Sequence, residues 1–231
     1  MNQFTRLELL IGKDNLNKLK SSTILILGLG GVGSYVFEAL VRSGVGHLIL
    51  VDYDVIDITN LNRQLMTDLS NVGQKKTDIL EKRAKNINKD IKITKIDSFI
   101  TSENINTLFD FNLTYFIDCC DTVKTKQEVI INCIEKNIPF ITCMGTGNKL
   151  DPSKLEILDL TMTSYDPLAK KIRIWAKKEH IKGNITCLTS KENPIKRNND
   201  NNIIGSSAFV PSSAGLLIAS YVVKEIITKN K

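Results

Sequence analysis

One stretch of this sequence, ILILGLGGVGSYVFEAL at residues 24–40, is compatible with few folds other than an open α/β sheet. A continuous apolar and β-branched run ends at Gly28, and helical spacing of apolar residues follows Gly33. The glycines at 28, 30 and 33 fit the pattern G-x-G-x-x-G, and Gly31 is a further glycine within it. Such glycines let the backbone turn tightly and approach a phosphate at the N-terminus of a helix. The segment therefore predicts a strand, a phosphate-binding loop and a helix.

Strand-like and helix-like segments alternate along the following hundred residues. The apolar runs predict strands at 23–28, 47–52, 92–97, 113–118 and 139–144, and the helical periodicities predict helices at 32–43, 73–88, 102–109 and 124–136. Strands that alternate with helices form βαβ crossovers. We therefore expect an α/β protein with a Rossmann-like, doubly wound, mostly parallel sheet.

The pattern changes after Asp151-Pro152. Here the sequence predicts strands at 155–160 and 185–190, a basic helix at 167–181 and an amphipathic helix at 212–228, and the polar, Asn-rich stretch 191–205 predicts a mobile loop. We expect a single domain over 1–231, with a nucleotide-binding core at 1–150 and a substrate-facing, antiparallel extension at 151–231.

Charge and cysteine content narrow the class of protein. Residues 1–166 carry 19 basic and 21 acidic side chains, whereas residues 167–231 carry 12 and 4, within a net charge of +6. An anionic partner such as RNA fits this asymmetry, and surface lysines that only solvate the chain fit it equally well. The five cysteines include no C-x-x-C pair, and the apolar runs are strand-sized. We therefore expect a reduced, cytoplasmic protein with no membrane partner.

The glycine loop alone does not identify the nucleotide. Asp52 ends the second strand about 20 residues after the loop, as in proteins that bind NAD. However, Arg63 and Lys76 follow on successive loops, and Asp121 follows the fourth strand, at the sheet edge where open α/β folds bind ligands. Two cations and a carboxylate suit a triphosphate with Mg²⁺, and the Walker A pattern is absent. This arrangement favours ATP.

Five motifs occur in order along the chain: G-L-G-G-V-G-S at 28–34, D-Y-D at 52–54, N-L-N-R-Q at 60–64, V-G-Q-x-K at 72–76 and D-C-x-D at 118–121. In this combination the sequence resembles the ThiF/MoeB/HesA family, the bacterial relatives of ubiquitin-activating enzymes. The resemblance implies an enzyme that activates a carboxylate with ATP, giving an acyl-adenylate and pyrophosphate.

The resemblance also implies roles for individual residues. Gly31 and Asp52 would contact the adenosine half of ATP, Asn60, Arg63 and Lys76 the phosphates, and Asp121 the metal. Gly28, Gly30, Gly33, Asp54 and Gln64 belong to the same motifs and complete the predicted nucleotide site. Arg6 matches an N-terminal arginine that reaches into the ATP site of the partner subunit, which implies a homodimer. An ordinary surface arginine on a leading helix is the alternative.

The stretches at 145–173 and 186–192 resemble one branch of this family, the tRNA threonylcarbamoyladenosine dehydratases. The resemblance implies that the substrate is a modified adenosine in the tRNA anticodon loop, whose carboxylate is adenylated. A nitrogen of the same side chain then closes a ring with net loss of water. It also implies a partner from the cysteine-desulfurase system. Cys187 matches a cysteine of the branch and is a candidate for a substrate lid or a nucleophile, whereas a buried thiol is the alternative.

Three other functions stay open at this stage. The chain could adenylate the C-terminal glycine of a ubiquitin-like sulfur carrier, although it lacks the paired cysteines for zinc that most such enzymes carry. It could be an NAD-dependent oxidoreductase, which Arg63, Lys76 and Asp121 disfavour. It could also be a dimeric nucleotide sensor without turnover.

Overall fold

The computed structural model describes residues 1–195 and 204–228. The strands are β1 (Thr23–Leu27), β2 (His47–Val51), β3 (Lys92–Ile96), β4 (Tyr115–Asp118), β5 (Phe140–Cys143), β6 (Leu155–Asp159) and β7 (Thr186–Ser190). The helices are α1 (Thr5–Ile11), α2 (Lys13–Lys20), α3 (Gly33–Arg42), α4 (Lys76–Ile87), α5 (Val123–Glu135), α6 (Pro167–Lys178) and α7 (Phe209–Thr228). Short 3₁₀ turns lie at Ile58–Asn60, Ile105–Phe109, Pro152–Lys154 and Leu160–Met162.

The seven strands form one sheet in the order β3-β2-β1-β4-β5-β7-β6. Every neighbouring pair is parallel except β6 with β7, which is antiparallel. The strand order reverses between β1 and β4, because β2 and β3 extend to one side of β1 while β4 and β5 extend to the other. Open α/β sheets bind ligands beyond the carboxyl ends of the strands at such a switch point.

Two apolar layers cover the two faces of the sheet. Helices α3, α4 and α7 bury residues such as Phe37, Leu80 and Ile218 in one layer. Helices α5 and α6 bury residues such as Ile130 and Ile172 in the other. The predicted doubly wound α/β fold with an antiparallel extension and a basic helix is therefore confirmed.

Several predicted boundaries were wrong for local reasons. The helix predicted from Gly73 begins at Lys76, because the backbone amide of Ile56 donates to the Gln74 carbonyl and Val55 forms an isolated bridge with Lys75. The helix predicted at 102–109 is a 3₁₀ turn at Ile105–Phe109. The basic helix ends at Lys178, and the last helix begins at Phe209. Of the loop predicted at 191–205, residues 196–203 lie outside the described part of the chain.

Helix α7 is the one described helix that is long and apolar enough to cross a membrane. One side of the helix, which includes Ala214, Ile218 and Val222, is buried, and the helix packs along α3. A Cβ on Gly215 of α7 would lie 2.4 Å from the carbonyl oxygen of Val32, so only glycine permits the observed approach. Apolar residues of α7 therefore serve the core beside the glycine loop.

Candidate active site

The glycine loop turns between β1 and α3 with the tight geometry that its sequence predicts. Gly28 has φ of +87°, and a Cβ there would lie 2.9 Å from the backbone nitrogen of Cys120. A Cβ on Gly33 would collide with the Gly28 carbonyl oxygen at 1.9 Å. No side chain caps the N-terminus of α3. The loop therefore leaves the N-terminus of α3 open to an anion.

Asp52, at the end of β2, holds this loop in place. The Leu29 amide donates to its Oδ2 at 2.6 Å, and the Asp54 amide donates to its Oδ1 at 2.9 Å. Burial raises the pKa of this carboxyl, and the positive charge of Lys76 opposes the rise. Asp52 thus shapes the glycine loop as well as lining the cleft beside it.

Lys76 begins α4 and is nearly inaccessible to solvent, with 4% of its side chain exposed. Its Nζ lies 2.8 Å from Asp54 Oδ2 and 3.7 Å from Asp52 Oδ1. Asp54 itself is 45% exposed. The ammonium group is therefore held by carboxylates at the wall of the cleft, where it can also meet the phosphates of a nucleotide.

The motif N-L-N-R-Q forms a turn after the 3₁₀ segment Ile58–Asn60. Arg63 is partly buried and lines the cleft, and its Nη1 donates to the Thr59 carbonyl at 2.8 Å and to Asn62 Oδ1 at 2.9 Å. Gln64 is buried, and no hydrogen-bond donor among the described residues reaches its Oε1. A buried acceptor without a donor costs about 1–3 kcal/mol, so this atom is suited to receive a bond from a bound ligand.

The two aspartates of D-C-x-D have different environments. Asp121 is exposed and lines the cleft. Asp118 is fully buried, where it accepts from Lys126 Nζ at 2.9 Å and from Thr142 Oγ1 at 2.6 Å. The Cys120 amide also donates to Asp118 Oδ1 at 3.0 Å. Asp118 therefore fixes the turn that presents Asp121, and only Asp121 is available to a ligand.

These elements surround one cleft of about 360 Å³ at the switch point of the sheet. Of the predicted nucleotide-site residues, it is lined by Gly28, Gly30, Gly31, Asp52, Asp54, Asn60, Arg63, Gln64, Lys76 and Asp121. Gly33 lies just behind the loop, at the start of α3. The structure thus brings together residues that are up to 93 positions apart between Gly28 and Asp121.

Two aromatic residues of the cleft were not predicted. Tyr53 and Phe99 meet edge to face with their ring centroids 4.9 Å apart, and both are about half exposed. The negative charge of Asp54, then burial and the charge of Asp121, raise the pKa of Tyr53. Phe99 follows β3, and its exposure next to Ile100 offers an apolar surface for a nucleobase. The only sequence signal for Tyr53 and Phe99 was that each aromatic residue follows the end of a strand.

The model of the ThiF family matches residues 4–231. The chain belongs to the ThiF family.

Within the family, the tRNA threonylcarbamoyladenosine dehydratase of Bacillus subtilis is 42% identical over 98% of this chain and 95% of its own length. The crystal structure of the E. coli tRNA N6-threonylcarbamoyladenosine dehydratase TcdA in complex with ATP is 31% identical and covers 97% of this chain and 93% of the TcdA chain, with a TM-score of 0.90. The E. coli sulfur carrier protein ThiS adenylyltransferase is 32% identical over only 59% of this chain and 54% of its own length. The similarity to the dehydratases thus covers nearly the whole chain, whereas the similarity to the sulfur-carrier enzyme covers little more than half of it.

Two predicted residues of this ThiF-family chain lie away from the cleft. Arg6 is exposed on α1 and does not line the cleft of its own chain. Cys187 is fully buried on β7, within the apolar layer under α5 and α6. Burial raises the pKa of its thiol to about 12, so the group stays protonated at neutral pH. The structure therefore favours the alternative of a buried thiol over a substrate lid or a nucleophile, and the role of Cys187 stays a prediction.

Three other cysteines lie at the ends of the central strands. Cys143 is buried on β5. Cys119 and Cys120 follow β4 and line the cleft. Burial raises the pKa of both thiols well above the ordinary value, so they are neutral there.

Proposed function

We propose that this protein is an ATP-dependent tRNA threonylcarbamoyladenosine dehydratase. The observation that carries the proposal is the near full-length similarity to dehydratases of this name, in a chain whose cleft gathers the predicted ATP-binding residues. The enzyme adenylates the carboxylate of the modified adenosine and closes a ring with loss of water.

The first step joins a carboxylate oxygen to the α-phosphorus of ATP and breaks the bond to the β-phosphate, so pyrophosphate leaves. The carboxylate is already ionised, and the protein has no proton to remove at this stage. Lys76 and Arg63 are placed to spread the negative charge that develops on the phosphates. The N-terminus of α3 adds the partial positive charge of the helix dipole.

The second step needs no nucleophile from the protein. A nitrogen of the threonylcarbamoyl group attacks the activated carbonyl carbon, the carbon–oxygen bond to AMP breaks, and the nitrogen loses its proton. Because both reacting groups belong to one side chain, positioning supplies much of the rate. This agrees with the burial of Cys187.

Mg²⁺ is part of the proposal. The described residues contain no group of three or more metal-ligating side chains that could hold an ion by themselves. Asp54 and Asp121 nevertheless fit Mg²⁺, since proteins commonly bind this ion through one or two carboxylates and the phosphates of the nucleotide. The ion would neutralise phosphate charge when ATP is bound.

The proposed enzyme is a homodimer that acts in the cytoplasm. Arg6 is exposed on α1, which also exposes Leu9 and Leu10 at 83% and 81%. An apolar surface beside an arginine supports a contact with a second copy, in which Arg6 enters the cleft of the partner. Mixing inactive Arg6→Ala and Lys76→Met proteins tests this, because a mixed dimer contains one intact site and regains activity.

A partner from the cysteine-desulfurase system is proposed from the resemblance alone.

The experiment that tests the function measures AMP release from ATP, with tRNA that carries threonylcarbamoyladenosine and with unmodified tRNA. We expect AMP only with the modified tRNA, together with the loss of one water from the nucleoside by mass spectrometry. Asp121→Asn is the matched control and should abolish turnover, whereas a nucleotide sensor would keep part of its ATP binding. AMP release with neither tRNA would contradict the proposal and favour a sulfur carrier, to be tested by ATP–pyrophosphate exchange.

A further inference from the structure

Two hydroxyl-bearing residues from outside the nucleotide-binding motifs line the cleft. Thr146 lies in the loop after β5, and Ser206 lies in the segment that leads into α7. Both line the cleft that holds Lys76, Arg63 and Asp121. A hydroxyl donates and accepts hydrogen bonds without charge, so this pair suits a neutral polar group next to the reacting carboxylate.

Asn148 holds the segment that contains Ser206, although it does not line the cleft itself. The backbone amide of Asn148 donates to the Gly205 carbonyl at 2.7 Å, and the backbone amide of Gly205 donates to Asn148 Oδ1 at 2.7 Å. The Ile195 amide donates to the Asn148 carbonyl at 2.7 Å. Asn148 adopts φ of +56°, a conformation that asparagine tolerates better than most residues.

Two further contacts fix the same segment. Asn62, next to Arg63, donates from Nδ2 to the Ser206 carbonyl at 3.0 Å. A Cβ on Gly147 would lie 2.3 Å from Ile204 Cγ2, so the loop after β5 and the segment before α7 are in close contact. The backbone of Ser206 is therefore held directly by Asn62 and, through the neighbouring Gly205, by Asn148.

The base of the loop after β5 is also fixed. Lys149 is buried, and its Nζ donates to the Gly145 carbonyl at 2.6 Å and to Asp166 Oδ2 at 2.9 Å. The other oxygen of Asp166 accepts from the Ala169 amide and caps α6. Thr146 and Asn148 thus project from a loop that is anchored at its base.

We infer that Asn148 is a positioning residue for the RNA substrate. It holds Ser206 so that this hydroxyl, together with that of Thr146, contacts the hydroxyl and urea N–H groups of the threonylcarbamoyl side chain. The carboxylate of that side chain then faces the α-phosphate. This inference rests on the proposed function.

The test separates the side chain of Asn148 from its backbone. Asn148→Gly removes the Oδ1 acceptor but keeps the positive φ and both backbone hydrogen bonds. We expect the KM for modified tRNA to rise about three- to tenfold, the equivalent of one lost hydrogen bond. The affinity for ATP, measured by calorimetry without tRNA, should be unchanged. Asn148→Asp keeps the acceptor and should restore the wild-type KM.

A second variant tests the contact itself. Ser206→Ala should raise the same KM by a similar factor, and the double variant Asn148→Gly/Ser206→Ala should show no larger effect than either single change, because both act through one hydroxyl. Thermal unfolding of each variant confirms that it is folded.

The outcomes distinguish the inference from the function on which it rests. A wild-type protein that forms no AMP with modified tRNA contradicts the proposed function. An active wild type with Asn148→Gly and Ser206→Ala at the wild-type KM overturns the inference. It is also overturned if ATP affinity falls in parallel with the KM effect, or if Asn148→Asp fails to restore the KM.

Discussion

Lys76 and Lys126 are two buried lysines that pair with aspartates near the carboxyl edge of the sheet, and their surroundings differ. The pair of Lys126 with Asp118 is fully buried on both sides and is completed by Thr142. Lys76 is equally hidden, but its partner Asp54 is nearly half exposed and both line the cleft. Burial of a charge therefore does not by itself mark a functional group. The exposure of its partner shows whether a ligand can reach the pair.

The largest effect is expected when the sealed pair is broken. Lys126→Met leaves Asp118 buried without its counter-charge and should lower the free energy of unfolding by about 3–5 kcal/mol. Chemical denaturation measures this change. The double variant Asp118→Asn/Lys126→Met removes both charges and should regain most of the loss. If Lys126→Met leaves the free energy of unfolding unchanged, Lys126 does not have the stabilising role that distinguishes it from Lys76.

Lys76→Met should act on catalysis instead. Loss of a charged donor that stabilises transition-state charge lowers kcat/KM by about 10²–10³-fold. AMP release with modified tRNA measures the loss, and circular dichroism checks the fold. If Lys76→Met releases AMP as fast as the wild type, Lys76 has no role in catalysis.

A third charged group, Glu38 with two arginines, should contribute to stability in a way that depends on pH. Glu38 on α3 accepts from Arg83 of α4 and from Arg42. Burial opposes the charged form of Glu38, but the hydrogen bonds and charges of the two arginines outweigh it and hold its pKa below the ordinary 4.5. A carboxyl whose pKa is lowered by folding adds stability above its unfolded pKa, and this stability is lost as the pH falls through the folded pKa.

Glu38→Gln should therefore cost about 1–2 kcal/mol at pH 7, and the difference from wild type should shrink as the pH falls below 4.5. Denaturation at several pH values measures it. Glu135→Gln, at an exposed position of α5, is the control and should change little. A difference that grows on acidification would contradict the role of the arginines.

The smallest effect is expected at Cys187. Cys187→Ala should leave AMP release unchanged, and the wild-type thiol should resist alkylation in the folded protein, since burial raises its pKa to about 12. Mass spectrometry after iodoacetamide treatment measures the second point. Rapid labelling at Cys187 in folded protein would restore it as a candidate functional residue.

The sequence predicted the strands to within about two residues. The prediction was simplest for β1 and β2, where an apolar run ends at Gly28 or at Asp52. It also predicted most of the cleft, since glycines and charged residues at strand ends meet at one sheet edge. It did not predict where helix α4 begins, because the pairing of residues 55–56 with 74–75 is a tertiary contact.

The missed residues carry no pattern of their own. Asn148 and Ser206 act through contacts between segments nearly 60 positions apart, and neither hydrophobic period nor turn chemistry reports such a contact. The sequence left Cys187 open between a functional residue and a buried thiol, because a match to a family cysteine says nothing about its accessibility. In the structure Cys187 is buried on strand β7.

The close approach of Gly215 to Val32 has a consequence for how the protein is made. Helix α3 ends at Arg42, but the helix that covers it begins only at Phe209. During synthesis on the ribosome the glycine loop and α3 emerge early, and their apolar face lacks its covering helix until α7 has been translated. The nascent chain thus carries an unfinished nucleotide pocket through most of its elongation. Contacts between such distant parts of a chain also slow folding, so we expect the docking of α7 to be a late step.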